Sequence, residues 1–343
     1  MLRTIFACGG TGGHVYPALA LAQYYDKAET CFLVSSDRTD RDIVAAYGYK
    51  YIEIPSSNRN VITGLRGVLR AIYVLRKYKP QVLVATGGYH TAPIILAAKC
   101  TGTPIILLEQ NVIPGRTNRM LSRIATHTCV SFSETLTKLP NAILTGNPVR
   151  THFLSEATLP PLLKTLSPHP TLLVLGGSQG AWAINERIHA LQNDILAASF
   201  NLIVLTGETY FNATFSGQQP TFRDPNTGAV CLFLPYCEDM RALYNRSDLV
   251  ISRAGATTIA ELVHFQKKAI LIPYPHATDQ HQHANAAAFL KSGNGVLLSQ
   301  SQWQTDTILA HIKALHGRAF SPTPSSSDPA YEILRLITSL TSK

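Results

Sequence analysis

Two glycine clusters, each directly after an apolar run, contain the residues best suited to ligand chemistry. Thr4–Cys8 is followed by Gly9–His14 (GGTGGH), and Leu172–Leu175 by Gly176–Gly180 (GGSQG). Glycine permits positive φ and a close approach of a ligand to the main chain. The N–H groups that open the following helix bind anions. The clusters therefore predict two loops that bind phosphate or sugar.

His14 closes the first loop, at the point where a helix should begin. A neutral imidazole there can take a proton from a bound hydroxyl as a general base. A histidine at a helix start can equally cap the helix or contact a diphosphate, and the spacing leaves both roles open. The loop is not a dinucleotide fingerprint, because Val15 stands at the third glycine position, and the chain contains no P-loop motif.

The segment Ser252–Glu261 (SRAGATTIAE) follows the apolar run Leu249–Ile251 and resembles a short turn that opens a helix. Main-chain N–H groups at Ala256–Thr258 are suited to a phosphate. Glu261, about one turn inside, is suited to accept both hydroxyls of a ribose. The alternative is an ordinary helix start, where the dipole favours Glu.

The segment 273–285 (PYPHATDQHQHAN) is dense in amides and imidazoles, which orient sugar hydroxyls well. His281 and His283 lack carboxylate or thiolate neighbours, so they are a poor metal signal. Residues 40–42 (DRD) match the D-x-D pattern of metal-dependent sugar transferases, but they stand in a charged helix start. We interpret them as a solvated surface and predict no metal and no cofactor.

Short apolar runs alternate with helical patterns along the whole chain, which predicts an α/β protein with parallel sheets covered on both faces. The predicted strands are Thr4–Cys8, Cys31–Ser35, Tyr51–Pro55, Val82–Thr86, Ile105–Glu109, Thr128–Phe132, Ala142–Leu144, Thr171–Leu175, Asn201–Thr206, Val230–Leu234, Leu249–Ser252, Ala269–Ile272 and Gly295–Leu298. The two halves share the order strand, glycine loop, helix, strand, without a residue-level repeat.

A length of 343 residues exceeds what one hydrophobic core usually serves. Five prolines between positions 146 and 170 mark the boundary, so we predict domains at 1–150 and 151–330. The final segment, 331–343, has helical apolar spacing and is a candidate to pack onto the first domain. The six cysteines contain no C-x-x-C pair, which favours free thiols in a reducing compartment. No apolar run is long enough to span a membrane, and we expect a cytoplasmic protein.

The whole net charge of +9 lies in residues 1–150, which hold 17 Lys and Arg against 8 Asp and Glu. Asn58–Pro80 is basic and amphipathic, with apolar residues at helical spacing: Val61, Leu65, Val68, Leu69, Ile72 and Leu75. We interpret this helix as partly buried and partly facing an anionic membrane surface. Nucleic acid is not expected as a partner, because the chain has no recognisable nucleic-acid motif.

Taken together, these stretches resemble the MurG family of glycosyltransferases over nearly the whole chain. The matching segments are Gly9–Pro17, Thr86–Tyr89, Glu109–Asn111, Gly146–Arg150, Gly176–Ala181, Ser252–Gly255 and Asp279–Asn285. The resemblance implies a GT-B fold, with two Rossmann-like domains whose parallel sheets face each other across a cleft. It implies inverting transfer of GlcNAc from UDP-GlcNAc to the muramoyl 4-hydroxyl of lipid I, the undecaprenyl-diphosphate-linked acceptor, to make lipid II for peptidoglycan. It also implies a peripheral position on the cytoplasmic face of the bacterial inner membrane and other cell-wall synthesis proteins as partners.

The resemblance also implies roles for single residues. His14 is the expected general base, and Cys237 marks the main chain that holds uracil. The remaining expected substrate contacts are Thr11, Gly12, Gly13 and Asn111 on the acceptor side, Arg150 and Ser178 at the donor, Ala256, Thr257, Thr258, Ile259, Ala260 and Glu261 around phosphate and ribose, and Gln282 at the GlcNAc hydroxyls.

The chain departs from the family pattern at three places. Leu108 stands where a histidine often precedes Glu-Gln-Asn, His281 replaces an amide of some members, and the loop Gly87–Pro93 is poorer in glycine than usual. Two other functions stay open: a GT-B transferase with another glycolipid acceptor, and a catalytically silent nucleotide-sugar-binding membrane adaptor.

Overall fold

The computed structural model describes residues 4–10, 12–35, 40–57, 60–150, 161–177, 180–216, 220–322 and 328–341. Residue contacts divide the chain into two compact units, Met1–His152 with Ser325–Lys343, and Phe153–Pro324. Residues 151–160, within the proline-rich stretch in which we placed the boundary, lie outside the described residues.

The first unit is built on a parallel sheet of seven strands in the order β3-β2-β1-β4-β5-β6-β7. The strands are β1 Thr4–Ala7, β2 Cys31–Ser35, β3 Lys50–Ile54, β4 Val82–Ala85, β5 Ile105–Glu109, β6 His127–Val130 and β7 Ala142–Leu144. The helices among them are α1 Gly12–Ala22, α2 Asp40–Ala46, α3 Val61–Tyr78, α4 Ala92–Thr101 and α5 Arg116–Leu121.

Both faces of this sheet are buried, because successive side chains of a strand point to opposite sides. Phe6 of β1 packs into a cluster with Val15 of α1, whereas its neighbour Ile5 packs into a second cluster with Leu75 of α3. Because helices cover both faces of the sheet, the sequences of these strands are continuous apolar runs.

The second unit repeats this plan, with the sheet order β10-β11-β9-β8-β12-β13-β14. The strands are β8 Thr171–Leu175, β9 Asn201–Leu205, β10 Thr221–Arg223, β11 Val230–Leu234, β12 Leu249–Ser252, β13 Lys268–Leu271 and β14 Gly295–Leu297. The helices are α6 Trp182–Ala197, α7 Glu208–Phe215, α8 Met240–Arg246, α9 Ala256–His264, α10 His281–Leu290 and α11 Thr305–His316.

All thirteen predicted strands are present, with ends that shift by two residues at most, and β10 was missed. β10 is a three-residue edge strand and the one antiparallel member of its sheet. A last helix, α12 Pro329–Thr341, buries Ile333 and Ile337 in the core of the first unit.

In each sheet the chain order reverses at one place, between β1 and β4 in the first unit and between β8 and β12 in the second. At such a switch point the loops after the two central strands leave in opposite directions and open a crevice at the carboxyl ends. The first glycine cluster follows β1 and the second follows β8. Each cluster therefore lies at the crevice where open α/β sheets usually bind their ligands.

Candidate active site

His14 lies in the first turn of α1, half-buried, with its Nδ1 atom 2.8 Å from the carbonyl oxygen of Thr86. A carbonyl oxygen accepts hydrogen bonds only, so Nδ1 carries the proton and donates it. In the neutral ring the lone pair then belongs to Nε2. Because Thr86 directly follows β4, this bond joins both loops of the switch point and fixes the orientation of the ring.

Glycine residues line the Nε2 edge of this ring. Gly10 has a φ of 111°, and a Cβ atom there would lie 3.7 Å from Cδ2 of His14. A Cβ atom at Gly88 would lie 3.7 Å from Nε2 of His14 and 3.6 Å from the carbonyl oxygen of Gly9. Side chains at these positions would cover the basic nitrogen, which gives a physical reason for glycine in both loops.

Glu109, at the end of β5, is buried and organises the next turn. Its Oε1 accepts the N–H of Asn111 at 2.9 Å, and its Oε2 accepts the N–H of Gly115 at 3.0 Å and Nδ2 of Asn118 at 2.9 Å. The carboxylate therefore holds in place the turn that contains Asn111, the predicted acceptor-side residue.

Gln110 connects this turn with the histidine. Its Nε2 donates to the carbonyl oxygen of Thr86 at 3.2 Å, the same oxygen that accepts from His14. The turn after β5 and the ring of His14 are thus both held by the carbonyl oxygen of Thr86. Gly12 and Gly13 open α1 nearby, whereas Thr11 lies outside the described residues.

The interpretation of residues 40–42 as a solvated surface is wrong for Asp40. Arg41 and Asp42 are exposed and form an ion pair at 3.2 Å, but Asp40 is only 1 % exposed. Its Oδ2 accepts the main-chain N–H of Gly10 at 3.0 Å. Asp40 therefore contacts the first glycine loop, which the sequence did not indicate, because a segment as rich in charge as residues 37–42 (DRTDRD) is typical of a helix facing water.

Arg150, the expected donor contact, packs against two tyrosines of the first unit. Its Nη1 donates to the hydroxyl of Tyr47 at 2.5 Å, and its guanidinium lies 3.8 Å from the ring centroid of Tyr16. A guanidinium over an aromatic face is held by a cation–π interaction. Arg150 is 6 % exposed and packed within the first unit, and its contact with the donor stays a prediction.

The second glycine loop is shaped by main-chain crowding. Gly177 and Gly180 have φ values of 87° and 74°, and a Cβ atom at Gly180 would collide with the carbonyl oxygen of Thr206. Nδ2 of Asn185 in α6 donates to that same oxygen at 2.8 Å. The loop is therefore fixed against the end of β9, while Ser178 itself lies outside the described residues.

The start of α9 is, after the Gly176–Gly180 loop, the second candidate phosphate-binding element of the second unit. Its N-cap residue, Gly255, is extended and supplies no side chain as a cap. The first N–H groups of a helix have no acceptor within the helix, which suits this terminus to a phosphate. Of the expected contact residues, Ile259 is buried and its N–H donates to the Gly255 carbonyl at 2.9 Å, so this residue packs the helix.

Glu261 lies one turn further along α9, and its Oε2 accepts a hydrogen bond from the hydroxyl of Tyr244 at 2.9 Å. Tyr244 is fully buried, and its ring stacks on Phe265 with centroids 4.8 Å apart. A rigid phenol thus orients the carboxylate that we assigned to ribose. No sequence signal pointed to Tyr244, which lies in the ordinary amphipathic helix α8.

Cys237 lies between β11 and α8 with its side chain turned inward. Its Sγ donates to the carbonyl oxygen of Asp239 at 3.5 Å, and burial raises the pKa of the thiol to about 11. Asp239 in turn caps α8 by accepting the N–H of Ala242 at 3.3 Å. A ligand at this turn therefore meets main chain, the type of contact expected for uracil.

Gln282, in the first turn of α10, accepts the N–H of Tyr274 through Oε1 at 2.8 Å. Asn285 of the same helix donates to the carbonyl oxygen of Ala254 at 3.3 Å. These bonds tie α10 to the turn after β13 and to the loop before α9, so the predicted sugar contact stands beside the predicted phosphate contact.

Arg253 is a third residue that we missed, although it stands inside the Ser252–Gly255 motif. It is 9 % exposed and donates to the carbonyl oxygens of Ile272 and Pro273, each at 3.2 Å, and to Oε1 of Gln300 at 2.9 Å. Burial lowers its pKa. Arg253 joins the loops after β12 and β13, so its guanidinium stabilises the conformation of these loops.

Within the described ranges, no group of three or more His, Cys, Asp and Glu side chains could hold a metal ion. None of the helices that the structure describes combines the length and apolar character needed to cross a bilayer. All six cysteines are free, and Cys100 is the exposed one.

The family comparisons cover both units. Residues 4–130 match the glycosyltransferase family 28 N-terminal domain, and residues 171–334 match the glycosyltransferase family 28 C-terminal domain. Two similar proteins, from Halothermothrix orenii and Desulforudis audaxviator, are both named UDP-N-acetylglucosamine--N-acetylmuramyl-(pentapeptide) pyrophosphoryl-undecaprenol N-acetylglucosamine transferase. They are 35% and 36% identical over 334 and 337 residues, which is 92% of this chain and 90% of each relative.

Solved structures agree on the fold. The crystal structure of Acinetobacter baumannii MurG has a TM-score of 0.70 and 24% identity, over 98% of this chain and 99% of that one. The glycosyltransferase SnogD from Streptomyces nogalater has a TM-score of 0.69 and 16% identity, over 99% of both chains. The predicted class, two parallel-sheet domains of the GT-B type, is confirmed.

Proposed function

The chain belongs to the MurG family of glycosyltransferases, within glycosyltransferase family 28, and we propose that it transfers GlcNAc from UDP-GlcNAc to the muramoyl 4-hydroxyl of lipid I, giving lipid II. The structural observation that carries this proposal is the orientation of His14, whose Nδ1–H is held by the Thr86 carbonyl. A silent nucleotide-sugar adaptor would have no use for an oriented base, and the alternative functions are not favoured.

In the proposed reaction the acceptor oxygen forms a bond to C1 of GlcNAc while the bond from C1 to the diphosphate oxygen of UDP breaks. The donor linkage is α and the product linkage β, so one in-line displacement accounts for the inversion. Nε2 of His14 takes the proton of the acceptor hydroxyl as the new bond forms. Deprotonation at this moment makes the hydroxyl a competent nucleophile without a separate alkoxide.

The departing UDP acquires negative charge, which the second unit is suited to stabilise. The N-terminus of α9 carries about half a positive elementary charge from its aligned peptide dipoles. We assign the diphosphate to this terminus and to the Gly176–Gly180 loop, the ribose to Glu261, the uracil to the main chain at Cys237, and the GlcNAc hydroxyls to Gln282. No metal ion and no cofactor enters this scheme.

The test is transfer of label from UDP-GlcNAc to a lipid I analogue by the purified full chain. A matched analogue that lacks the muramoyl 4-hydroxyl should accept no label. We expect His14→Ala to lower kcat by about 10²- to 10⁴-fold, the usual worth of a general base. Absence of transfer by the wild type to the 4-hydroxyl analogue would refute the proposed function, whereas full activity of His14→Ala would refute only the assignment of the base.

We also propose that α3 attaches the protein to the cytoplasmic face of the inner membrane. The side of α3 that packs on the first unit consists of Gly67, Ala71, Val74 and Leu75. The opposite side leaves large apolar residues in water, with Val61 87 %, Leu65 59 % and Leu69 61 % exposed. Arg66, Arg70, Arg76 and Lys77 are exposed beside them.

A helix that combines exposed apolar and basic side chains fits the interface of an anionic bilayer. Each base near such a surface adds about 1 kcal/mol, so replacing Arg66, Arg70 and Arg76 by Glu should lower binding to anionic vesicles by at least roughly 100-fold. The matched control changes three exposed bases of the second unit, Lys291, Lys313 and Arg318, to Glu. Equal binding of the two folded triple variants would contradict the proposal. Contacts with other cell-wall synthesis proteins stay a prediction.

A further inference from the structure

Asp40 is a buried carboxylate that takes no direct part in the proposed reaction. It is the first residue of α2, it is 1 % exposed, and its Oδ2 lies 3.0 Å from the main-chain nitrogen of Gly10. We propose that Asp40 is a positioning residue, which fixes the main chain at Gly9 and Gly10 and thereby the catalytic edge of His14. The inference rests on the proposed function, because His14 is the base in that reaction.

The loop is clamped from two sides at this point. A Cβ atom at Gly9 would lie 3.5 Å from Oδ2 of Asp40 and 2.8 Å from Cβ of His90. Gly10 has a φ of 111°, a backbone conformation that residues other than glycine rarely adopt. A glycine without restraint readily leaves this conformation. A charge-assisted hydrogen bond from its N–H to a buried carboxylate is therefore what selects this conformation.

The position of Gly10 matters for His14 because the two are close neighbours. The ring is held at Nδ1 by the carbonyl of Thr86, and its Cδ2 edge lies against Gly10, where a Cβ atom would be 3.7 Å away. Nε2 belongs to that same edge. Rotation of the Gly10 peptide would change the main chain beside Cδ2 and with it the approach of an acceptor hydroxyl to Nε2.

The hydrogen bond between Gly10 and Asp40 also implies different roles for the two parts of the glycine loop. The N–H of Gly10 already donates to a carboxylate, and a negative charge next to it repels a phosphate. An acceptor diphosphate must therefore use N–H groups further along, at the start of α1. In this scheme the first part of the loop positions the base, and the later part binds the anion.

The test compares two acids in the same helical turn. Asp40 and Asp42 both stand at the start of α2, so losing either removes a similar interaction with the helix dipole, but Asp42 is exposed and contacts only Arg41 among the described side chains. We expect Asp40→Ala to lower kcat at least 10-fold, with KM for UDP-GlcNAc within 2-fold of wild type, and Asp42→Ala to leave both unchanged. Asp40→Asn keeps an oxygen that can accept from Gly10 and should retain kcat within a few-fold.

A second readout does not depend on activity. Amide hydrogen exchange of the peptide that contains Gly9 and Gly10 should accelerate at least 10-fold in Asp40→Ala and stay as in wild type in Asp42→Ala and Asp40→Asn. Should the alanine variant fail to fold, Asp40→Ser replaces it, since serine keeps a polar group at the helix start but is too short to reach Gly10. Equal exchange at Gly10 in the Ala or Ser variant and wild type would overturn the proposal, and so would equal kcat in the Asp40 and Asp42 alanine variants. A wild type without transferase activity would refute the proposed function, while the exchange comparison would still decide whether Asp40 holds the loop.

Discussion

Replacing Tyr244 by Phe isolates the orientation of Glu261 from everything else at the donor site. The phenol hydroxyl donates to Glu261 at 2.9 Å, and the ring is fully buried and stacked on Phe265. Phenylalanine keeps the ring and its packing and removes the hydrogen bond alone. A bond to a charged group contributes about 1.5–3 kcal/mol, and we take the lower end because Glu261 is partly exposed. That value corresponds to roughly a 10-fold weaker binding of UDP.

The assay is the Kd of UDP and of 2′-deoxy-UDP by calorimetry, for wild type and variant. Since Glu261 is assigned to both ribose hydroxyls and the deoxynucleotide keeps only one of them, the variant should lose more affinity for UDP than for the deoxynucleotide. Tyr210→Phe is the matched control, because Tyr210 is also buried in the second unit but its hydroxyl faces His189 at 3.5 Å. An unchanged Kd for UDP, or an equal loss for both nucleotides, would refute the role of Tyr244.

Two glycines of α3 and the thiols supply further predictions. A Cβ atom at Gly67 would collide with the carbonyl oxygen of Pro55, so Gly67→Ala should lower the free energy of unfolding by about 1–3 kcal/mol. Gly64 has open space around it, and Gly64→Ala should raise that free energy by about 0.5–1 kcal/mol; urea unfolding of both variants checks the pair, and equal signs would contradict the packing. With a thiol reagent at pH 8, Cys100 alone should react fast, because burial raises the pKa of Cys237 to about 11 and leaves a thiolate fraction of roughly one in a thousand. Fast reaction of two thiols, or any fast thiol left in Cys100→Ser, would contradict this.

The strands and their order along the chain were predictable, because parallel strands buried on both faces consist of Val, Ile and Leu in short runs. β10 escaped prediction for the opposite reason: Thr221–Arg223 is an edge strand whose residues are largely in water, so no apolar run marks it. In α3 the spacing of apolar residues correctly predicted a helix that is partly buried: Leu75 lies in the core, and Val68 and Ile72 pack against it. It did not show which of the apolar residues stay exposed. Small residues, Gly67 and Ala71, allow close approach to Pro55 and α4, and the larger Leu65 and Leu69 remain outside.

The sequence indicated candidate ligand contacts next to the glycine loops, but it did not indicate residues whose contacts are with other side chains or with main chain of the site. His14 stood out by its place after the glycine loop. Asp40 and Tyr244 act through Gly10 and Glu261, and such contacts depend on three-dimensional neighbours that no local pattern encodes. The motif of Arg150 likewise gave no sign of its contacts with Tyr16 and Tyr47, while the donor contact that the motif suggested stays a prediction.

The most direct measurement is the linkage in the product formed from UDP-GlcNAc and a lipid I analogue by the purified full chain. We predict a single disaccharide, with GlcNAc joined in β configuration to the muramoyl 4-oxygen and one UDP released per linkage, as read from the anomeric coupling in a proton NMR spectrum. An α linkage, attachment at another oxygen, or release of UDP with free GlcNAc alone would contradict the account of an inverting transferase with His14 as its base.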